Sequence, residues 1–588
     1  MKAMRIHTLL IVLCLSLGSI AFFASSRARG AGSPPPAAAE VSHDFDLLVD
    51  QYFDFYFQAH PSEATLDGFH QYDTRLEDFS SAGREAEIAG LNQYLGKFRA
   101  VRQDQLPELS AGDLQFLIST IQARLLALQQ IQMWRKDPDV YTSTFSYSIF
   151  LIMSRNFAST TDRLRSVVAR ENAAPKMFAA ARRNLGNSPR VYTEVALQQL
   201  PDTIKFFRRD VPSAFSSVTD PKVLAEFKKS NATAISELEK YQNFLQQDLL
   251  PVAHGDFRLG AENFSKKLLY DDMVDIPLDR LLQIGYDDLH RNQQRLKEVA
   301  AQIDPKLTPR QALANLQKDH PAPDQLLPAF RNVLGGLKQF IEQHHIITIP
   351  SEVLPIVEET PPFERALTTA SMDTPGPYER KATEAMFNVT LPNPAWSPQK
   401  IEEWMEGFNR GTIISTAIHE VYPGHYTQFL WSKRVASKTR KLLYCNTNSE
   451  GWAHYTEQMM LDEGYGNGDP RLRLGQLSDA LLRDARFIAG IQMHTGKMTL
   501  DEATKFFIQE GYQVPPVAEE EAKRGTSDPT YLYYTLGKLQ ILKLRADYKK
   551  MQGSSFNLQK FHDRFMEQGG VPLKIIRKAM LGNDSPTL

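Results

Sequence analysis

The chain has 588 residues and a formal net charge of −2, from 67 basic and 69 acidic residues. Its hydrophobic content of 42% and charged content of 23% are typical of a soluble globular protein with a large buried core. Because the charges balance, there is no electrostatic argument for binding nucleic acid or an anionic membrane. Neither is expected as a partner.

The N-terminus predicts an export signal over residues 1–32. Lys2 and Arg5 precede an apolar run over residues 9–23, and small residues follow it. An uncleaved membrane anchor is the alternative, but a spanning helix needs about 20 apolar residues. We therefore expect a periplasmic or extracellular protein with no membrane contact beyond the signal. Residues 33–41 are proline-rich and predict a tether.

The chain has two cysteines, Cys14 and Cys445. Removal of the signal would leave Cys445 alone, so no disulfide within the chain is expected. No cysteine-protease sequence surrounds Cys445, which favours a small buried thiol over a nucleophile.

Residues 42–588 predict one mainly helical domain. Apolar residues recur at spacings of three and four, and prolines separate the runs. The longest runs cover residues 46–57, 113–128, 160–185, 223–249, 278–303 and 324–344. Two segments, 345–350 and 385–391, are instead rich in residues that favour strands. A helix is expected from Ser397-Pro398 to about Phe408, and a second from near Gly411.

The second of these helices leads into the sequence His419-Glu420-Val421-Tyr422-Pro423-Gly424-His425. In zinc peptidases with the HExxH motif, the two histidines are four residues apart and share one helix face. Here they are six apart, and an unbroken helix would point them about 120° apart. Proline cannot continue the helix. We therefore predict that Pro423-Gly424 interrupts it and brings His425 beside His419.

A third candidate ligand follows in Asn448-Ser449-Glu450-Gly451-Trp452-Ala453-His454-Tyr455-Thr456-Glu457. Ser449 is expected to cap a helix that ends near Gly464, with Glu450, His454 and Glu457 on one face. Such a polar face is usually solvated, and two nearby histidines arise often by chance. Burying two carboxylates and an imidazole together is costly without a metal or a proton partner, so the combination favours a metal site.

The two motifs resemble the paired sequence HExxPGH and EGWAxYxE of a large bacterial family labelled only as a domain of unknown function. Residues 360–392 and 533–545 are also similar to that family. The family is similar in outline to helical zinc peptidases, which include angiotensin-converting enzyme, thimet oligopeptidase and the thermostable carboxypeptidases. The resemblance implies a mainly α, two-lobed metallopeptidase with a small β-sheet beside the active-site cleft, and a site region over residues 360–545.

The resemblance also implies roles for individual residues. His419, His425 and Glu450 match the ligands of one zinc ion, and Glu420 matches the general base. Glu457 is expected to orient a histidine, and it is also the main rival to Glu450 as the third ligand. Two histidines and a glutamate also hold manganese or cobalt, so the identity of the metal is open.

Downstream residues are candidates for substrate contact. Tyr534 matches the family's Tyr-x-x-Gly and is expected to stabilise the oxyanion, although Tyr533 and Tyr534 could equally be the edge of a core. Lys538, one turn later, is a candidate for a substrate carboxylate. His454 is open between a substrate contact, support of a ligand and a structural hydrogen bond. Residues 388–391 could pair with the backbone of a peptide.

The sequence therefore predicts an exported zinc peptidase that acts on short peptides through a metal-activated water. One alternative is a metal-dependent hydrolase of other amides or esters, which needs the same chemistry. Another is a non-catalytic helical binding protein with a structural or lost metal site. Glu420 argues against the second alternative, because a purely structural site does not need a general base.

Overall fold

The structure is a computed structural model that describes residues 36–361, 365 and 369–588, with only the backbone for residues 36–40. The predicted signal, residues 1–32, lies outside the described residues. The predicted tether enters the described chain at Pro36, where the first helix begins. Among the helices described, none is both long and apolar enough to cross a membrane.

The chain before the sheet is helical, as its apolar spacing predicts. The predicted runs over residues 160–185 and 278–303 correspond to two of the longest helices, α7 and α12. The helices of this part are α1 (Pro36–Ala59), α2 (Pro61–Asp67), α3 (Ser81–Ala100), α4 (Glu108–Leu126), α5 (Met133–Lys136), α6 (Asp139–Ser154), α7 (Thr160–Asn184), α8 (Arg190–Lys205), α9 (Val211–Ala214), α10 (Pro221–Phe244), α11 (Gly260–Asp272), α12 (Leu278–Ile303), α13 (Pro309–Gln317) and α14 (Leu326–Gln343).

A small three-stranded sheet follows α14. It consists of β1 (Ile356–Glu359), β2 (Ala370–Asp373) and β3 (Met386–Val389), in the order β1-β3-β2. The central strand β3 pairs in parallel with β1 and antiparallel with β2. The strand predicted over residues 385–391 is confirmed as β3, whereas the sequence did not predict β1 or β2.

The strand predicted over residues 345–350 is wrong. This segment leaves α14 as an irregular chain, and its apolar residues Ile346 and Ile347 are 1% and 2% exposed. Its backbone bonds to side chains instead of a neighbouring strand. His562 Nδ1 lies 2.7 Å from the carbonyl of Ile346, and the Thr348 N–H donates to Asp563 at 2.9 Å. The β-branched residues of this segment are explained by burial and not by strand pairing.

The chain after the sheet is again helical. Ser397 caps α15 by accepting a hydrogen bond from the Lys400 N–H, as its sequence predicts. The helices of this part are α15 (Pro398–Glu406), α16 (Arg410–Glu420), α17 (His425–Ser432), α18 (Lys438–Leu442), α19 (Asn446–Asp462), α20 (Pro470–His494), α21 (Leu500–Gln509), α22 (Pro515–Ser527), α23 (Tyr533–Gln552), α24 (Leu558–Met566) and α25 (Leu573–Leu581).

One hydrophobic core joins the sheet to the helices that carry the candidate site. It includes Phe330 of α14, Phe387 of β3, Ile418 of α16 and Trp452 of α19. Burial of these large side chains holds α16 and α19 against the sheet. The expected fold class, mainly helical with a small sheet, is confirmed. The division into two lobes stays a prediction.

Helices α19 and α23 cross at two glycines. A Cβ atom on Gly451 would lie 2.5 Å from the Cα of Gly537, and one on Gly537 would lie 1.9 Å from the carbonyl oxygen of Thr447. No side chain fits at this crossing, so the two backbones are in direct contact. Glu450 directly precedes Gly451, and Tyr534 lies one turn before Gly537, so the crossing controls their separation.

We expect Gly537→Ala to destabilise the protein by about 1–3 kcal/mol, because the added methyl group overpacks the crossing. Chemical denaturation measures the free energy of unfolding. Gly335→Ala in α14 is the matched control, since nothing lies within 4 Å of its added Cβ. That control should stabilise the protein by about 0.5–1 kcal/mol. Equal effects of the two substitutions would contradict the role of the crossing.

Candidate metal centre

The first half of the site is the end of α16. Asn409 caps this helix by accepting hydrogen bonds from the N–H groups of Gly411 and Thr412. The helix ends at Glu420, and α17 begins at His425. The predicted interruption of the helix is confirmed. The rings of His419 and His425 lie side by side, with their centroids 4.8 Å apart.

The turn between the two helices folds back against the end of α16. The N–H of Gly424 donates to the carbonyl of Ile418 at 3.0 Å. A Cβ atom on Gly424 would lie 1.8 Å from the carbonyl oxygen of His419. Only glycine fits this approach, which explains why Gly424 precedes the second histidine.

The second half of the site is the first turn of α19. This helix begins at Asn446, so Ser449 lies within its first turn and is not the predicted cap. Asp272 of α11 accepts from the Thr447 N–H and from the Cys445 thiol, both at 2.9 Å. Burial raises the pKa of Cys445 well above its usual value, as expected for an inert thiol. The sequence could not reveal a cap supplied by a distant helix.

The two halves are joined directly. The indole N–H of Trp452 donates to the carbonyl of Pro423 at 2.8 Å. One carboxylate oxygen of Glu450, Oε2, then lies 3.3 Å from Nε2 of His419 and 3.3 Å from Nε2 of His425. Ligand atoms of these three residues all lie within 4.8 Å of one another. The predicted ligand residues are thus brought together.

The donor set fits a metal ion. Glu450 Oε2 is buried and has no hydrogen-bond partner among the described residues. A buried carboxylate oxygen without a partner is costly. Zinc bonds of about 2.0 Å in a tetrahedron place ligand atoms about 3.3 Å apart, which is the separation of Oε2 from both Nε2 atoms. Two imidazoles and one carboxylate are also a common zinc-binding set.

Glu457 holds the other side of His419. Its Oε1 lies 2.7 Å from His419 Nδ1 and 3.1 Å from Arg483 Nη2, and its side chain is fully buried. Although burial alone would raise the pKa of Glu457, Arg483, His454 and His419 hold it below its usual value. An ionised carboxylate only accepts hydrogen bonds, so His419 donates from Nδ1, and its Nε2 is the nitrogen that faces Glu450.

The two glutamates differ in the nitrogen of His419 that each one contacts. Glu450 lies at Nε2 of His419 and Glu457 lies at Nδ1. Glu457 is therefore positioned to orient His419, as the sequence suggested, and lies apart from the group formed by His419, His425 and Glu450.

His454 and Lys538 lie in the core beneath the site. His454 Nδ1 is 3.1 Å from Glu457 Oε2, and burial lowers the pKa of His454 to about 3. Of the three roles left open for His454, the structure shows the hydrogen bond to Glu457. Lys538 is 1% exposed and donates to Asp288 at 2.8 Å. This buried ion pair leaves Lys538 no free surface for a substrate carboxylate, contrary to the sequence-based interpretation.

Glu420, the candidate base, is the last residue of α16 and is partly exposed. Among the residues that the structure describes, none forms a hydrogen bond or ion pair with its carboxylate. Burial raises the pKa of Glu420 above its usual value, with the nearby Glu450 charge in the same direction and His419 and His425 opposing. A carboxylate with a raised pKa is a better proton acceptor near neutral pH.

Tyr534 reaches the site from the start of α23. Its ring stacks at 6.3 Å from the ring of His419, and its hydroxyl accepts a hydrogen bond from Arg524 Nη2 at 3.3 Å. The guanidinium groups of Arg483 and Arg486 lie 5.4 and 5.1 Å from the centre of the Tyr534 ring. Arg483 and Arg524 carry no signal in the sequence, because α20 and α22 bring them to the site only by packing.

The proposal that residues 388–391 pair with a peptide backbone requires a correction. Asn388 and Val389 belong to β3, whose backbone already pairs with β1 on one side and β2 on the other. A central strand has no free edge for another chain. The outer strands of this sheet are β1 and β2.

Comparisons with known proteins identify relatives without an assigned activity. The family described as “Bacterial protein of unknown function (DUF885)” matches residues 61–580. One similar solved structure is a “putative lipoprotein of unknown function” from Shewanella oneidensis, with 28% sequence identity and a TM-score of 0.77, over 91% of this chain and 99% of that chain. Another is a “putative lipoprotein” from Colwellia psychrerythraea, with 17% identity and a TM-score of 0.78, over 92% of this chain and 99% of that chain. No curated protein matches.

We expect Glu457→Gln to weaken metal binding about tenfold to a hundredfold, because a neutral amide no longer fixes the proton of His419 at Nδ1. Competition with a chelator measures the affinity. Glu463→Gln is the matched control, since it removes an ion pair with Arg545 just beyond the end of α19 and far from the three candidate ligands. An unchanged affinity in Glu457→Gln would show that Glu457 does not orient a ligand.

Proposed function

The chain belongs to the bacterial family of unknown function (DUF885), and we propose that it is an exported zinc-dependent peptidase that hydrolyses bonds in short peptides. One observation carries this proposal. The buried Oε2 of Glu450 has no hydrogen-bond partner among the described residues and lies 3.3 Å from Nε2 of both His419 and His425. Although burial alone would lower it, Glu450 and Glu457 raise the pKa of His419 to about 9. Without a metal, a proton at Nε2 therefore lies between His419 and Glu450, and a bound metal ion would replace that proton.

Three residues would hold the metal through these atoms: His419, His425 and Glu450. A bound zinc ion supplies Lewis acidity, which polarises a carbonyl group and lowers the pKa of water to about 7. Manganese and cobalt remain alternatives for the same ligands. Glu457 accepts a hydrogen bond from Nδ1 of His419, which leaves Nε2 as the nitrogen that would bind the metal.

Two further residues act on the substrate. Glu420 accepts the proton of the attacking water and passes it to the leaving amine. Its freedom from other partners and its raised pKa support this role. The Tyr534 hydroxyl donates to the oxygen that becomes negative as the carbonyl is attacked. The Tyr534 oxygen accepts from Arg524, which leaves the hydroxyl proton free to point at that position.

Short peptides fit this site better than folded proteins. The side chains of His419, His425 and Glu450 are only 7%, 12% and 23% exposed, and Tyr534 is 7% exposed. A recessed site admits a short or extended chain but not the surface of a compact domain. The resemblance of both motifs to helical zinc peptidases favours peptide bonds over other amides and esters.

Export is supported by two observations. Residues 1–32 have the basic start, apolar run and small residues of a secretory signal. The Shewanella protein with a similar structure is described as a “putative lipoprotein”, and lipoproteins are an exported class. We propose the periplasm or the outside of the cell as the site of action.

The proposal predicts that protein purified without chelator holds about one zinc per chain and hydrolyses peptides, whereas Glu420→Gln holds the zinc and loses activity by about 10²–10⁴-fold. The loss follows from removing a general base. Elemental analysis gives the metal content, and mass spectrometry identifies the products from a mixture of peptides, amides and esters.

Glu403→Gln is the control for this substitution, since Glu403 lies exposed on α15 and accepts a hydrogen bond from Gln399. It should change neither zinc content nor activity. Protein that binds no divalent metal would overturn the proposal. Metal-dependent cleavage of esters or simple amides alone would replace the peptidase with another hydrolase.

We expect Tyr534→Phe to lower kcat about 10²–10³-fold with little change in zinc content, because it removes a donor to the developing oxyanion. Tyr548→Phe is the matched control on the same helix. Its hydroxyl also accepts one arginine hydrogen bond, from Arg564 at 3.2 Å, but lies in the core behind the site. Similar losses of kcat in both variants would point to a general effect of α23 and not to the oxyanion.

A further inference from the structure

Three arginines lie around Tyr534, and the side chains of two of them are largely buried. Arg486 forms two hydrogen bonds with Glu521, at 2.6 and 2.7 Å, and its side chain is 9% exposed. Arg483 donates to the carbonyl of Asp479 and contacts Glu457, and its side chain is 12% exposed. Both are part of the support of the site and offer little surface to a ligand.

Arg524 is different. Its side chain is 38% exposed, and its hydrogen bonds within the described residues all come from Nη2, to Asp528 at 3.2 Å and to Tyr534 at 3.3 Å. The Nε and Nη1 atoms, which carry three N–H groups, have no partner in the part of the chain that the structure describes. A guanidinium with open donors beside the proposed oxyanion donor is a ready anion site.

The orientation of Arg524 is set by its neighbours. Asp528 Oδ2 accepts from Arg524 and also from the Tyr533 hydroxyl, at 2.9 Å. An exposed pair four residues apart on a helix usually contributes little. Here Tyr533 anchors the aspartate, and Asp528 with Tyr534 holds one edge of the guanidinium. The other edge forms no hydrogen bond with the described residues, and the side chain is 38% exposed.

The distance from the reacting bond limits what can bind there. A hydrogen bond from Tyr534 to the carbonyl oxygen under attack spans about 2.8 Å, and Arg524 Nη2 lies 3.3 Å beyond the Tyr534 oxygen. The guanidinium therefore begins at most about 6 Å from the reacting carbonyl oxygen. One residue of extended chain spans about 3.3–3.6 Å, so an anion at Arg524 lies one or two residues past the scissile bond.

We infer that Arg524 binds the C-terminal carboxylate of the substrate, so that cleavage releases one or two residues from the C-terminus. The inference rests on the proposed peptidase function and makes that function more specific. Arginine matches a carboxylate in both charge and geometry, because its planar donors bind the two oxygens in parallel. Arg524 thus replaces Lys538 as the candidate for binding a substrate carboxylate, because Lys538 is buried in the core.

The test compares unblocked tripeptides that end in a free carboxylate with the same tripeptides as C-terminal amides. Binding is measured by calorimetry on zinc-loaded Glu420→Gln protein, which does not turn over. We expect the acids to bind about tenfold to a hundredfold more tightly than the amides. Adding Arg524→Met should bring this ratio close to one, and adding Arg524→Lys should retain part of it because the charge remains.

Arg190→Met is the matched control. Arg190 also pairs with an acid four residues later, Glu194, but it lies on α8 and its side chain is more exposed, 58% against 38%. It should leave the ratio of acid to amide binding unchanged. Thermal unfolding shows whether each variant is folded. If the Arg524 variants do not fold, the comparison of acids with amides on protein that keeps Arg524 still tests the inference.

The outcomes separate the two proposals. Equal binding of acids and amides, with zinc-dependent cleavage intact in wild type, overturns the role of Arg524 and leaves the peptidase. Absence of cleavage of any peptide by zinc-loaded wild type overturns the peptidase, and the inference with it. Tripeptide amides that carry a glutamate side chain form the third arm. If they bind as tightly as the acids and depend on Arg524, a side-chain carboxylate is the ligand and the inference is wrong.

Discussion

The candidate metal centre depends on one buried carboxylate. Glu457 is fully buried and contacts His419, His454 and Arg483. A buried charge is tolerated only when partners surround it, and these three partners keep Glu457 ionised. The ionised carboxylate in turn decides which nitrogen of His419 carries the proton. The orientation of the first candidate ligand is therefore set by electrostatics in the core, before any metal binds.

Two backbone contacts then bring the remaining groups to His419. Gly424 lets the turn after α16 approach the helix closely enough for His425 to lie beside His419. The close approach of Gly451 and Gly537 packs α19 directly against α23. This contact brings Glu450 and Tyr534 close to His419. Both contacts lack room for a methyl group. The glycines of the two motifs thus contribute to the site by controlling the distances between the candidate ligands.

Much of the fold and the core of the site could be predicted from sequence, because the signals are local. The spacing of apolar residues gave the helices, and Pro423 with Gly424 indicated the break in α16. The errors have a common cause in contacts that are distant in sequence. Residues 345–350 have strand propensity, but side chains of α24 satisfy their backbone. Lys538 is polar, but Asp288 of α12 pairs with it in the core. Arg524 could not be recognised as a candidate from the sequence, because only the fold brings it beside Tyr534.

The end of α16 at Glu420 also affects the chemistry of the candidate base. Were the helix continuous, Glu420 would lie in its interior and the helix dipole would act weakly on it. Since α16 ends there, the carboxylate lies at the negative end of the helix dipole. That field disfavours the ionised form, as partial burial does. The positive charges of a metal ion and of Arg483 oppose both effects. The same proline and glycine that bring His425 to His419 therefore also place the candidate base where its affinity for a proton is increased.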